Sequence, residues 1–326
     1  MTLKRLIFLG LLAWLAAVGC GEDEPAKKID LDKREEISLA NPDKAITYAY
    51  LPQYAHTVSY QRHHLVMEYL ARTTGLQVRQ VYPDTFDQHM NMVGRGLIDI
   101  TFSNPFIYVK IAERHGARAF ARIVEAVGRE NFRGQVICRA DNRSLKTIAD
   151  LKGKRLIAVD PTSAGGYLYP WSLILEHGLR RKDFAEIAFA PGPGGKQEKV
   201  VMAVYSGKYD AGIIREHTLD ILADKIDLKQ IRVLAHSRWY PGWVYAARQG
   251  MDSGTLEQIK QALLALNINN PEHQPILEKA GFVAIIPAQD RDFDPVRRLA
   301  EMVAAEGDSI DKSWPLTSKD LKNWRD

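Results

Sequence analysis

The sequence predicts an α/β fold of two lobes, each a mostly parallel sheet flanked by helices. Three observations carry that prediction: strand-like and helix-like runs alternate from Ala45 onward, the alternation resumes after "GQVICRAD", and 326 residues are enough for two such lobes. Alternation favours parallel strands because each helix returns the chain across the sheet by a right-handed crossover.

In the first part, "AITYAYL" reads as a strand and "SYQRHHLVMEYLARTTG" as the helix after it. "QVRQVYP" is followed in the same way by "TFDQHMNMVGRG", and "LIDITFSN" by "PFIYVKIAERHG". After "GQVICRAD", the order recurs in "SLKTIADLKG", "KRLIAVDP", the helix after Gly166, "EIAFAPG", "KQEKVVMAVYSGK" and "YDAGIIRE". Beyond "IRVLAHSRW" and "WVYAARQG" the chain turns helical over Thr255 to Asn267, Pro271 to Gly281 and Asp294 to Ala305, which predicts a return to the first lobe.

The N-terminus has the layout of an export signal. Lys4 and Arg5 precede an apolar run from Leu6 to Val18 that is too short to span a bilayer. Ala17-Val18-Gly19-Cys20 resembles a bacterial lipobox, with Ala17 where Leu is commoner, so Cys20 is the expected lipidation site and the protein is expected outside the cytoplasmic membrane on a lipid anchor. Residues 21–44 are charged and poor in apolar side chains, as suits a tether. Loss of residues 1–19 removes Lys4 and Arg5 from 44 basic residues and none of the 40 acidic ones, leaving a net charge of +2, too near neutral to favour nucleic acid. Cys138 is then the single remaining cysteine and reads as a buried strand thiol.

The stretch "VDPTSAGGY" (Val159 to Tyr167) lies between a strand and a helix. Two readings stand open for it: Thr162 or Ser163 is a helix N-cap, or the turn's hydroxyls and free N–H groups cradle an anion at the positive end of the helix. "GPGGKQEK" (Gly192 to Lys199) is either a glycine turn before the Lys196 helix or a second anion-facing terminus with Lys196 and Gln197 as donors. Neither is a Walker A loop, and no Cys-x-x-Cys or Gly-x-Ser-x-Gly motif occurs. Adjacent His63 and His64 point to different helix faces, unlike a metal pair, and no metal or cofactor is expected.

"LPQY", "GLIDITFSNPFIYV", "IADLKGKRLIAVDPTSAGGYLYP" and "MAVYSGKYDAGI", in that order and together with the lipobox, resemble the phosphate/phosphite/phosphonate-type substrate-binding proteins of ABC transporters. The resemblance implies a two-lobed type II periplasmic-binding fold: residues 1–19 a lipoprotein signal peptide, 20–44 a tether, 45–133 with 238–326 the first lobe and 134–237 the second. It places hinge strands near Gly134 to Ala140 and Ile231 to Ser237. The family's turn commonly reads Asp-Pro-x-Ser-Thr-Ser-Gly-Tyr. Ser163 matches its first serine and Gly166-Tyr167 its end, while Ala164 and Gly165 replace two hydroxyl residues. Gln197 falls near a position where the family usually has His, and Tyr108 matches a first-lobe tyrosine. The implied ligand site is Tyr50, Tyr108, Thr162, Ser163, Ala164, Gly165, Lys196, Gln197, Arg215, Glu216 and His217. Lys196, Gln197 and Arg215 are the candidates to replace the missing hydroxyls, and Glu216 and His217 to meet the ligand's substituent. Tyr48, Tyr54, Tyr167, Trp239, Tyr240 and Trp243 also fall at strand ends or in the loops after them, where a cleft forms.

The reading is a non-catalytic receptor that captures a small oxyanion for an ABC permease by lobe closure. An alternative is presentation of an oxyanion such as arsenite to a membrane sensor histidine kinase. A third, of a different class, is a phosphate-ester enzyme, for which Asp160 and Asp210 make a poor catalytic pair.

Overall fold

The computed structural model describes residues 45–53, 56–192 and 196–305. Cys20, the signal and the tether lie outside the described residues, as does Tyr54. The chain runs β1 (Ile46–Tyr50), α1 (His56–Thr74), β2 (Val78–Val81), α2 (Phe86–Gly94), β3 (Ile100–Ser103), α3 (Pro105–His115) and β4 (Arg118–Glu125). It then crosses through β5 (Asn131–Phe132) to β6 (Gly134–Arg139), followed by β7 (Arg155–Ala158), α4 (Tyr169–Glu176), β8 (Glu186–Phe189), α5 (Lys196–Tyr205), β9 (Ala211–Arg215) and β10 (Ile231–His236). It returns by β11 (Tyr240–Pro241) to β12 (Val244–Ala247), α6 (Ser253–Leu264), α7 (Gln274–Ala280), β13 (Phe282–Pro287) and α8 (Asp294–Ala305).

Two sheets result, in the orders β13-β4-β12-β3-β1-β2 and β10-β6-β9-β7-β8. In the first, β1 to β4 share one direction and β12 is inserted antiparallel between β3 and β4. In the second, β7 to β10 share one direction and β6 is inserted antiparallel between β9 and β10. Each inserted strand is the first to enter its sheet after a crossing between sheets. The expected parallel character holds among β1 to β4 and among β7 to β10; the antiparallel strands are β6 and β12, each following a crossing, and β13, which pairs with β4 at the sheet edge.

Gly134–Arg139 and Ile231–His236, the expected hinge strands, pair with each other inside the second sheet. The two crossings themselves meet just outside them, in the antiparallel ribbon of β5 and β11. Central strands such as β1 and β9 are buried along nearly their whole length, which is why they read as continuous rather than alternating apolar runs. The segment "SLKTIADLKG" is a single 3-10 turn over Ile148–Leu151, because the Asp150 carboxylate collects the N–H groups of Lys146 and Thr147 and closes the turn on itself.

Helix α3 shows how local chemistry sets an element beside the cleft. Asn104 caps it, accepting from the N–H groups of Phe106 (2.9 Å) and Ile107 (3.0 Å), Pro105 occupies the first turn, and Gly116 closes it at φ 66°.

Candidate functional site

Loops at the carboxyl ends of the strands in both sheets face one another, as open α/β sheets place ligands. They enclose two cavities. One, of about 670 Å³, lies between Gln53 and Thr85–Asp87 on one side and Val159–Ser163, Lys196 and Gln197 on the other. A second, of about 300 Å³, lies between Tyr50, Phe102 and Trp243 on one side and Gln197, Glu198 and Arg215–Thr218 on the other. Gln53 and Gln197 line both, so the two are compartments of one cleft.

The "VDPTSAGGY" turn is built largely from its own hydrogen bonds. Asp160 Oδ1 accepts from the Thr162 N–H (2.9 Å) and hydroxyl (2.7 Å), so the Thr162 hydroxyl is turned inward. Ser163 is the N-cap of a π-helical turn, Ala164–Leu168, and its Oγ accepts from the Gly166 N–H at 3.1 Å. The Ser163 hydroxyl proton has no acceptor among the described residues, which leaves it available to the cleft. The capping reading of Ser163 is thereby met, and its hydroxyl proton is left over from the cap.

Ala164 and Gly165 are buried, and at Gly165 the absent side chain has a steric reason. A Cβ at Gly165 would meet Phe132 Cε2 at 2.7 Å and Arg215 Cβ at 3.0 Å. A Cβ at Gly166 would come within 2.3 Å of Val159 Cγ2. The stem of Arg215 therefore occupies the space that a side chain at 165 would need.

Around the turn, Lys196 Nζ donates to Asp160 Oδ2 at 2.5 Å and keeps two further N–H donors. Gln197 is buried, and its Oε1 accepts from the Arg215 N–H (2.9 Å), with the Thr218 hydroxyl, which donates to the Arg215 carbonyl at 2.7 Å, nearby at 3.3 Å. Because the oxygen is thereby assigned, the amide nitrogen of Gln197 is the end left without a protein partner among the described residues. Arg215, at the end of β9, lies over the Phe132 ring (4.9 Å) and forms an ion pair with Glu125 at the end of β4, a contact between the two sheets. Glu216 is held by Arg133, whose Nε donates at 2.8 Å. His217 has φ 67°, in the left-handed region that is strained for a non-glycine residue, and its Nδ1 lies 2.8 Å from Asp220 Oδ2.

Tyr50 lines the smaller compartment and stacks on His63 at 4.6 Å. His63 is fully enclosed, so burial together with the nearby Arg62 charge pushes its pKa down to about 3, and it is a neutral packing partner of Tyr48 and Tyr50. Tyr108 lines neither compartment. It lies within α3, and its hydroxyl donates to Asp290 Oδ1 at 2.5 Å and accepts from the Ala119 N–H, so burial and that carboxylate raise its pKa. Starting the helix directly at Pro105 puts Tyr108 against Phe293 of the adjoining segment instead of at the strand end. Of the other aromatic candidates, Trp243 lines the cleft, Tyr48 and Tyr167 are core residues, and Trp239 and Tyr240 border a separate cavity beside the ribbon. Asp160 and Asp210 do not converge: the first pairs with Lys196 and the second accepts from the Arg155 N–H.

The residues that sequence reasoning missed come mostly from the first sheet. Gln53 follows β1 within the quoted "LPQY", whereas Glu125 ends β4 and Phe102 lies within β3, and neither carries a local signal. Among the described residues no group of three or more His, Cys, Asp or Glu is arranged to hold a metal ion. Cys138 is buried in β6, and burial raises its thiol pKa.

The model of the ABC transporter phosphonate periplasmic substrate-binding protein family matches residues 48–293, which span both sheets and both compartments. The chain belongs to this family. Within it, the sequence is 25% identical over 292 residues to the phosphate-import protein PhnD of Mycolicibacterium smegmatis, covering 84% of this chain and 91% of that one. A crystal structure of the binding-protein component of an ABC phosphonate transporter from Pseudomonas aeruginosa superposes with a TM-score of 0.70 at 16% identity, covering 86% of this chain and 94% of that one. Residues of the tetrathionate sensor histidine kinase TtrS of Salmonella typhimurium are 24% identical over 212 positions, 60% of this chain and 36% of that protein. Membership in this periplasmic family makes the chain an extracytoplasmic solute-binding component of transport.

Proposed function

We propose that this phosphonate-type binding protein captures a small phosphorus oxyanion in the larger compartment, holding it with the Ser163 hydroxyl, Lys196 and the Gln197 amide, and releases it to an ABC permease without chemical turnover. The observation that carries the reading is the convergence of three donors with unused N–H or O–H groups on one cavity between two sheets. An oxyanion needs several such donors once water is excluded, and charge-assisted bonds are the strong ones. In this reading residues 45–133 with 238–326 form one lobe and 134–237 the other, the β5–β11 ribbon is the hinge, and ligand contacts from both sides favour closure. Ala164 and Gly165 contribute backbone, and Glu216 and His217 border the ligand's substituent. Cys20 supplies a lipid anchor in the membrane.

The test is a thermal-shift screen of the full chain in mild detergent against phosphate, phosphite, methylphosphonate and 2-aminoethylphosphonate, with sulfate and arsenite alongside, since a ligand bound only by the folded state raises the melting temperature. Stabilisation by a phosphorus oxyanion supports the reading, and failure of all four overturns it. The similarity to a tetrathionate sensor kinase favours a second reading, in which the closed form is presented to a membrane histidine kinase. Co-purification with a permease or with a kinase from the native membrane separates the two.

A further inference from the structure

The charges around the cleft are opposite to what a bare dianion needs. Seven carboxylates line its two compartments, against Arg62, Lys196 and Arg215 as the basic side chains. Lys196 and Arg215 are already paired with Asp160 and Glu125. Glu216 is paired with Arg133, and Asp220 Oδ2 lies within hydrogen-bond distance of His217 Nδ1, but Glu198, on α5, has no ion pair among the described residues. Its Oε2 is sealed from solvent and makes no hydrogen bond. A carboxylate oxygen in that state is costly unless a positive group meets it.

Across the compartment from Glu198, the floor is aromatic. Tyr50, Phe102 and Trp243 stand with ring centroids 5.1 to 5.5 Å apart. Aromatic faces attract cations without accepting conventional hydrogen bonds. A primary ammonium brings three N–H donors, each needing an acceptor, whereas an alkylated ammonium spreads its charge over methyl groups that need only π-faces and a nearby carboxylate.

Resting on the oxyanion reading above, we propose that the ligand carries an alkylated ammonium as well as its oxyanion, the ammonium seated on the Tyr50–Phe102–Trp243 floor opposite Glu198 and the oxyanion at the Ser163–Lys196 turn. The ligand then brings its own counter-charge to a cleft that is otherwise too acidic for an anion. Gln53 and Gln197 mark where its two ends join.

Calorimetric titration of the full chain with phosphocholine, 2-aminoethylphosphonate, methylphosphonate and choline tests this. Phosphocholine is expected to bind roughly tenfold or more tighter than methylphosphonate. Glu198→Gln and, separately, Trp243→Leu are expected to remove most of that margin. Equal affinities, a primary amine that binds tighter than phosphocholine, or a margin unchanged in both variants overturns the proposal. If methylphosphonate binds and phosphocholine does not, only the cation assignment fails. If choline binds while no phosphorus oxyanion does, the cation assignment stands and the oxyanion reading fails.

Discussion

Substituting Ser163 by Ala separates capping from ligand binding at the turn between β7 and α4. In the free protein the hydroxyl oxygen accepts the Gly166 N–H at 3.1 Å, a buried contact, so its loss costs about 1 kcal/mol as an N-cap. In a fold of this size that lowers the melting temperature by about 2 to 4 °C. If the hydroxyl proton also donates to a bound oxyanion, removing it costs a further hydrogen bond to a charged group, about 1.5 to 3 kcal/mol. The dissociation constant for methylphosphonate then rises between about tenfold and a hundredfold. Thermal melts of the unliganded variant read the first effect, and calorimetric titration reads the second. A lowered melting temperature with unchanged affinity refutes the anion-cradle argument and leaves Ser163 as a cap alone. An unchanged melting temperature refutes the capping geometry.

Restoring a hydroxyl by Gly165→Ser is expected to destabilise, because its Cβ falls 2.7 Å from Phe132 Cε2; overpacking of this kind costs about 1 to 3 kcal/mol, and a melt equal to the parent's contradicts it. Tyr108→Phe leaves methylphosphonate affinity unchanged and costs about 1 kcal/mol in chemical denaturation, since the hydroxyl serves Asp290 and Ala119 away from the cleft; weakened binding would return Tyr108 to the site. His63 and His89, both buried and with pKa values pushed down to about 3, bind fewer protons folded than unfolded once the pH drops below about 6.5. Stability is therefore lost as pH falls from about 6.5 toward 3, and His63→Phe flattens that slope between pH 6.5 and 5; an unaltered slope argues against a neutral buried His63.

What could be read from the sequence was what is locally encoded. Strands and helices followed their hydrophobic periodicity; Lys196 and Gln197, read from the glycine turn before their helix, and Arg215, read from the end of its parallel strand, all line the cleft. The antiparallel insertions of β6 and β12 and the β5–β11 ribbon depend on pairings between distant segments, with no local trace. Glu125 was illegible for the same reason: it ends an unremarkable strand, and its role exists only because Arg215 reaches it from the other sheet. The π-helical turn at Ala164–Leu168 was likewise hidden, since its sequence reads as any small-residue helix start.

The altered turn and the bridge between the sheets are one feature. Removing the side chain at 165 lets the Arg215 stem pack against the turn and the Phe132 ring, and from there the guanidinium reaches Glu125. Both partners are mostly buried, with side-chain exposures of 20% and 12%, so the pair is less screened than a surface salt bridge. A hydroxyl at 165 would donate a hydrogen bond to a ligand but hold nothing across the cleft. Arg215 instead links the two sheets before any ligand arrives, and its charge is spent on Glu125. The chain has therefore exchanged positive potential in the cleft for a protein-made contact between its halves. On the reading proposed above, an oxyanion in this cleft is met by Ser163, Lys196 and the Gln197 amide, and a positive group on the same ligand answers the acidic compartment beside them.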